Sequence, residues 1–502
     1  MTETPSTAVE VTDVRQLIDG EWSTPPVDLG VDLENPNTGH VIARQRASSD
    51  ADVERVAAAA MRVHEAGSWS ALPAKERADH LDAIADGLDA QALRIAELES
   101  LGTGAIIRTT RMLAFVINGG AFRLAASLLR EGILASTMDG PTGKPAEIHH
   151  LPWGPALSLV PWNAPAPMAA HKVANSLAAG CPSILKPSEW APYGTSALGE
   201  VIDQVLTERG IEAGTFQLVQ GGPRVGGLLV NDPRVRAISF TGGLGGGRAI
   251  AAACATDFKP AQLELGGNNA IVVLDDADVD KAAEGIVDLI VQLNGQWCRA
   301  LGRLILQEGN ADAVLAAVSR RLADVRLGDS LAQDTEMGPI VHSDHLASLK
   351  NRIADLVAKG GQVHAPTPLP GLDGNFLAPT LITGVHSADA REEIFGPVAV
   401  VLRASDDADA IALANDTPFG LEGYVFAGDE GRGLEVARQI RAGGVKVNGS
   451  TMLSLNLFAP RPAWGLSGQG AEGTRETLLF FTNSRVVGVE NLSAAELAKM
   501  AG

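Results

Sequence analysis

Along the first third of the chain, apolar residues recur at helical spacing. Ile18-Asp19-Gly20-Glu21-Trp22 reads as a strand and a turn, and residues 34–39, Glu-Asn-Pro-Asn-Thr-Gly, are a run of turn formers. From Asp50, Val53, Val56, Ala57, Ala60 and Met61 fall on one face of a predicted helix. Ser49 is its N-cap, with Asp52 in the first turn. A second helix is predicted over roughly 74–100, with Leu81, Ile84, Leu88 and Ile95 on its apolar side. Residues 1–17 read as a disordered or loosely attached arm. The helices of this region are expected to pack on a sheet and to take no part in chemistry.

Past residue 150 the pattern shortens. Apolar runs at 156–160, 183–186, 216–219 and 237–240 alternate with helical segments, which indicates βαβ units around a buried parallel sheet. After Asn269 the alternation restarts, with strands at 270–274, 303–306, 398–402, 424–426 and 445–447. The fold class is therefore α/β in two halves that share a class but no repeat. Asn163, Lys186, Gly222 and Thr241 lie just past predicted strand ends, where function gathers in such sheets.

Five hundred and two residues exceed one core, so two or three domains are expected. A formal net charge of -20 argues against nucleic acid or an anionic membrane as the main partner. No stretch of about 18 consecutive apolar residues reads as a membrane span. The polar start, Met1-Thr2-Glu3-Thr4-Pro5, does not read as a secretory signal. Three cysteines cannot form a disulfide framework, and a reducing, cytoplasmic setting is the simpler reading. The ten histidines show no metal-ligand spacing, so no metal is predicted.

The candidate chemistry centres on residues 293–298, Leu-Asn-Gly-Gln-Trp-Cys. Gly295 suggests a tight loop, and a Cys298 thiolate would be a nucleophile for acyl chemistry. Residues 263–268, Leu-Glu-Leu-Gly-Gly-Asn, supply the carboxylate Glu264, and Pro161-Trp162-Asn163 supplies an amide for an oxyanion. A lone cysteine among apolar residues is usually an inert core thiol, which is the reading for Cys181 and Cys254.

These stretches are similar to blocks of the aldehyde dehydrogenase superfamily. The matches run in the family's order: 161–163, Lys186-Pro187-Ser188-Glu189, Phe240-Thr241-Gly242, 264–268, 295–298 and Glu393-Ile394-Phe395-Gly396-Pro397. The resemblance implies a Rossmann-like parallel-sheet cofactor domain (1–132 and 154–264) and a second α/β catalytic domain (265–471). It also implies a small β-flap for oligomerisation with a C-terminal tail (133–153 with 472–502), and a homodimer or homotetramer. It gives Cys298 the role of nucleophile, Glu264 that of base for hydrolysis and Asn163 that of oxyanion donor. The cofactor side falls on Val160, Pro161, Trp162, Lys186, Glu189, Gly222, Gly226, Phe240, Thr241, Gly242, Gly243, Gly247, Leu265, Gly266, Glu393 and Phe395. Glu189 would hydrogen-bond ribose hydroxyls and repel a 2′-phosphate, so NAD is favoured over NADP.

The chain also departs from the family. Gly243 and Gly246 replace a common serine and a common β-branched residue, which predicts a more mobile phosphate loop. Gly465 and Ala471 stand where a lysine and an arginine are usual. Arg299 follows the nucleophile: it is open to binding a substrate carboxylate, to lowering the thiol pKa, or to an ion pair away from the site, the last being favoured. Met168, Trp297, Arg299 and Phe458 are candidates for a substrate tunnel. The resulting expectation is NAD-dependent oxidation of a small-molecule aldehyde to an acid. Three alternatives stand beside it: a CoA-acylating semialdehyde dehydrogenase, which Glu264 argues against; a non-catalytic binding protein; and thioesterase-like hydrolysis as a side activity.

Overall fold

In the computed structural model, residues 11, 14–139, 144–453, 455, 456, 458–490 and 493–500 are described. Residues 1–10, 12 and 13 of the expected arm, and 491, 492, 501 and 502 of the expected tail, lie outside them. The end of the arm is not loose. Gln16–Ile18 is a strand of the first sheet, paired with Glu21–Ser23 on one side and Phe216–Leu218 on the other, with Val14 and Leu17 buried. Three residues are too few to show a period, which hid this strand in the sequence.

Ser49 caps the helix Asp50–Ala66 as its sequence predicts. Its Oγ accepts the Asp52 N–H at 3.2 Å, and the Asp52 carboxylate accepts the Ser49 N–H at 2.9 Å. The single helix expected over 74–100 is two helices, Ala74–Ala90 and Ala92–Thr103, broken at Gln91. The break lets the first lie against Gly119–Arg130 and the second against Tyr193–Glu208. Residues Ile107–Arg130 are long and apolar enough to cross a membrane, but more than half of the qualifying window is buried. Phe122, Ala125, Ala126 and Leu129 of this segment belong to the largest core of the first half.

Each predicted core strand is present, with ends within two residues of expectation. The first sheet runs, in space, Glu21–Ser23, Gln16–Ile18, Phe216–Leu218, Ser183–Lys186, Ala156–Leu159, Ala237–Thr241, Ala261–Glu264 and Gly468–Gln469. Its five central strands are parallel and the flanking ones antiparallel. The order reverses between Ala156–Leu159 and Ala237–Thr241, the kind of switch point beside which ligands bind. The second sheet runs Gln362–His364, Thr380–Thr383, Val398–Ala404, Leu301–Gln307, Asn269–Val273, Glu422–Phe426 and Gly444–Val447, parallel except for its first strand.

A third, small sheet joins Ala135–Asp139, Pro145–Pro152 and Thr482–Val487 as antiparallel neighbours. The helix Thr474–Phe480 just before it packs elsewhere, with Leu478 in the core of the first half.

Candidate active site

The two large sheets meet end to end. Ala261–Glu264 finishes in the first sheet, residues 265–268 cross the gap, and Asn269–Val273 begins the second. Glu264 therefore stands at a carboxyl edge. Cys298, just ahead of Leu301–Gln307, stands at an amino edge. The expectation that function gathers at carboxyl ends describes only the first half. The facing half presents the starts of its strands, because the chain crosses straight from one sheet into the other.

The Cys298 loop is tighter than one glycine would make it. Leu293, Asn294 and Gly295 adopt φ of 47°, 59° and 69°, three left-handed residues in a row. For non-glycine residues this conformation is costly and persists only where surroundings enforce it. Asn294 does the enforcing: Nδ2 donates to Gly104 O at 2.7 Å and Pro339 O at 2.9 Å, and Oδ1 accepts the Gly338 N–H at 2.8 Å. Only glycine fits at 295, where a Cβ would stand 2.3 Å from the Pro397 nitrogen. Gln296 Oε1 accepts the Val341 N–H at 3.0 Å. Asn269 closes the other side, donating from Nδ2 to Cys298 O and Ala300 O, both at 2.8 Å.

The Cys298 thiol donates to Glu264 Oε1 at 3.2 Å, and Glu264 Oε2 is buried without a partner among the described residues. Burial pushes the thiol well above its usual range; Glu264 adds to this and Arg299 opposes it. Burial likewise raises the Glu264 carboxyl, helped by Glu472 and opposed by Arg299. Thiol and carboxyl thus form a proton-sharing pair. Asn163 Nδ2 donates to Gln296 O at 2.9 Å, which brings the amide onto the same loop and leaves its second N–H uncommitted.

A cavity of about 650 Å³ joins these groups. Pro161, Trp162, Thr241, Gly242, Gly243, Leu265, Gly266, Glu393 and Phe395 line it, as do Met168, Trp297 and Arg299. Phe458 does not. It is 54 % exposed, in a turn where Asn456 Oδ1 accepts its N–H, while its neighbours Leu455 and Ala459 form the wall. Arg299 is held in an ion pair with Glu422, so it reaches the cavity as a partnered group. Glu393 Oε1 accepts the Gly267 N–H at 2.7 Å, and burial raises its carboxyl to about 7.

Lys186, Glu189, Gly222 and Gly226 gather beyond the cavity. Lys186 Nζ donates to Pro187 O at 2.8 Å and lies 3.9 Å from Glu189. A Cβ on Gly222 would meet the Glu189 carboxylate at 3.4 Å, and one on Gly226 the Lys186 stem at 3.8 Å. Val160 is buried and donates its N–H to Lys186 O at 3.1 Å.

The glycines that precede and open the helix Leu244–Asp257 serve packing. A Cβ would stand 2.5 Å from the Phe240 ring at Gly242, 2.9 Å from it at Gly246, and 2.5 Å from Leu265 at Gly247. None of them uses a positive φ. The glycine at 246 has a packing reason: Phe240 fills the space that a β-branched residue would need. At Gly243 and Gly245 a Cβ would meet nothing within 4 Å, so backbone is open to a ligand there.

Several groups at the site escaped sequence reading. Lys172 Nζ donates to Glu472 Oε1 and Ser239 Oγ, both at 2.8 Å, beneath the cavity. Burial opposes the Glu472 charge, but Lys172 and its cationic neighbours hold its carboxylate down at about 2. Glu472, Glu422, Lys446 and Arg461 line the wall. Only Arg461 left a signal in the sequence, as a lone charge within the apolar stretch 452–466. The other two thiols, Cys181 and Cys254, are buried and unpaired, and burial drives Cys181 to about 12.

Similarity over nearly the whole chain makes the protein an oxidoreductase that acts on aldehydes. The chain belongs to the aldehyde dehydrogenase family, whose model matches residues 24–487. It is 34 % identical over 468 residues to a glutarate-semialdehyde dehydrogenase of Pseudomonas aeruginosa, covering 91 % of this chain and 94 % of that one. It is also 34 % identical over 469 residues to an NADP(+) succinate-semialdehyde dehydrogenase of Escherichia coli, covering 91 % and 94 %. Among solved structures, betaine aldehyde dehydrogenase of Staphylococcus aureus in complex with NAD+ superposes with a TM-score of 0.88 at 30 % identity, over 95 % of this chain and 94 % of that one.

Proposed function

We propose that the protein oxidises an aldehyde to a carboxylic acid with NAD, in a cleft between a cofactor half and a catalytic half. The thiol–carboxyl contact at 3.2 Å carries this reading. Glu264 takes the Cys298 proton, and the sulfur attacks the carbonyl carbon to give a thiohemiacetal. The free N–H of Asn163 and the backbone N–H of Cys298 receive the oxyanion. Bound NAD supplies the acceptor for the hydride that leaves this carbon. Cys298 is then a thioester; Glu264 releases the first proton to solvent, accepts another from the water that hydrolyses the thioester, and returns that one to the departing sulfur to restore the thiol. The raised Glu264 carboxyl is suited to both transfers.

The residues fit a dinucleotide. The N-terminus of the helix Leu244–Asp257 lacks a side-chain cap, and Gly243 and Gly245 leave its first amides open for a pyrophosphate. Beside them, Thr241 Oγ1 is buried without a partner among the described residues. Glu393 would hold the nicotinamide ribose and Lys186 the adenosine ribose. Glu189 beside Gly222 disfavours a 2′-phosphate, which supports NAD over NADP. The three-stranded sheet is proposed as the assembly element of a homodimer or homotetramer: Met138, Val486 and Val489 on or beside it are more than half exposed and apolar.

The test is NADH formation with an aldehyde panel, run with NAD or NADP and with or without CoA. CoA-independent reduction of NAD is the expected result. Reduction that requires CoA would assign the acylating reaction instead, and no reduction with any aldehyde would overturn the proposal.

A further inference from the structure

We infer that Arg461, supported by the charge of Lys446, binds a carboxylate at the far end of the substrate, so that the aldehyde is an ω-oxo acid. The inference rests on the oxidation proposed above and adds to it the charge of the substrate.

Arg461 lines the cavity that holds Cys298 and Glu264. It follows an apolar wall made by Met452, Leu453, Leu455, Ala459 and Pro460, a surface for a methylene chain. Its register partner is Glu472, but Nη2 stays 3.9 Å from that carboxylate, beyond hydrogen-bond length. The reason is competition, since Lys172 already takes Glu472 Oε1 at 2.8 Å. Arg461 Nε is buried with no partner among the described residues. The guanidinium therefore has no close carboxylate of its own, and a ligand carboxylate in the cavity would supply a charge partner. The side chain keeps 30 % exposure, so a ligand can reach it.

The neighbouring cations differ. Arg299 is committed to Glu422. Lys446 Nζ donates to Thr451 O at 2.7 Å and Leu453 O at 3.0 Å, which fastens the wall but leaves its charge uncancelled by any ion pair among the described residues. Counted together, Lys172, Arg299, Lys446 and Arg461 face two paired carboxylates, Glu422 and Glu472. Burial disfavours charge on Glu264 and Glu393 and on Lys446 alike, so the balance is set by which cations lack a carboxylate partner. The far wall therefore carries a surplus of positive charge, which attracts a carboxylate and repels a cationic aldehyde.

The experiment compares kcat/KM for ω-oxo acids of increasing length, n-alkanals of matched length and trimethylammonioacetaldehyde, in wild type, Arg461→Gln and Arg461→Lys. In wild type the oxo acids should lead the alkanals by about 10- to 100-fold, the range of a charged hydrogen bond. In Arg461→Gln that ratio should fall toward one through KM, with kcat little changed, and Arg461→Lys should recover part of it. Equal wild-type rates, a preference for the cationic aldehyde, or equal losses for both substrate types would overturn the inference. A second readout needs neither turnover nor a folded variant: glutarate should slow alkylation of wild-type Cys298 by iodoacetamide, and n-pentanol should not. Absence of glutarate protection overturns the anchor. Protection in an enzyme that oxidises no aldehyde would uphold the anchor and remove the oxidation reading.

Discussion

The two edges that meet over the cavity are built on different principles. On the first sheet, Thr241 and Glu264 end their strands and Asn163 follows closely on Leu159. Backbone ladders place them, and few side chains help. On the second sheet, Cys298 precedes its strand in a loop of left-handed residues; Asn294 within the loop donates to the distant carbonyls of Gly104 and Pro339, and the distant Asn269 donates to the loop carbonyl of Cys298. Strand ends are positioned by the sheet itself; an approach to a strand must be clamped. Substitutions on the first edge should therefore remove chemistry and spare the fold, whereas those around Cys298 should cost both.

The largest effect should come from Cys298→Ala, with aldehyde oxidation falling by about four orders of magnitude or more while NAD still quenches protein fluorescence. Lost NAD binding would show that the second edge also shapes the cofactor site. Next, Glu264→Gln should slow the burst of NADH and leave steady turnover about 10²–10⁴-fold lower. Wild-type turnover should rise with pH as Glu264 ionises. Because burial raises that carboxyl, the limb should lie above the ordinary carboxylate range and vanish in the Gln variant. Asn163→Ala should lower kcat by about 10²–10³-fold with an unchanged unfolding temperature; a large drop in that temperature would blur the distinction between the edges. The smallest change in rate, and the clearest in stability, should come from Asn294→Gly. Glycine accepts the left-handed conformation, so only the clamp is lost, at about 1–3 kcal/mol in thermal unfolding with a modest fall in kcat.

The same contrast sets what the sequence could reveal. The core strands were legible because short apolar runs between helices have few other folded solutions. The groups of the first edge were legible because they sit next to those runs. Cys298 stood out by rarity and by its family block. Its clamp did not, because Asn294 and Asn269 act on carbonyls far away in sequence, and no local pattern records such pairs. Arg299 was weighed between roles that only its partner, Glu422, could decide. Phe458 was assigned to the tunnel by residue type, but a turn at Asn456 leaves it outside the wall. Gly246 read as looseness, and the ring of Phe240 that occupies its space is visible only in the fold.

Residues 265–268 carry one more consequence. Glu264 ends its strand immediately before this link; just after it, Asn269 grips the carbonyl of Cys298; and Gly267, midway, binds Glu393 and has no room for a Cβ beside Cys298 O. A link so short and so crowded has no slack. Any slip of one half against the other must appear as a change in the sulfur–oxygen spacing, so the site works as a gauge of how the halves are seated. Heat or denaturant should silence turnover at the first loss of alignment, ahead of any loss of helix or strand.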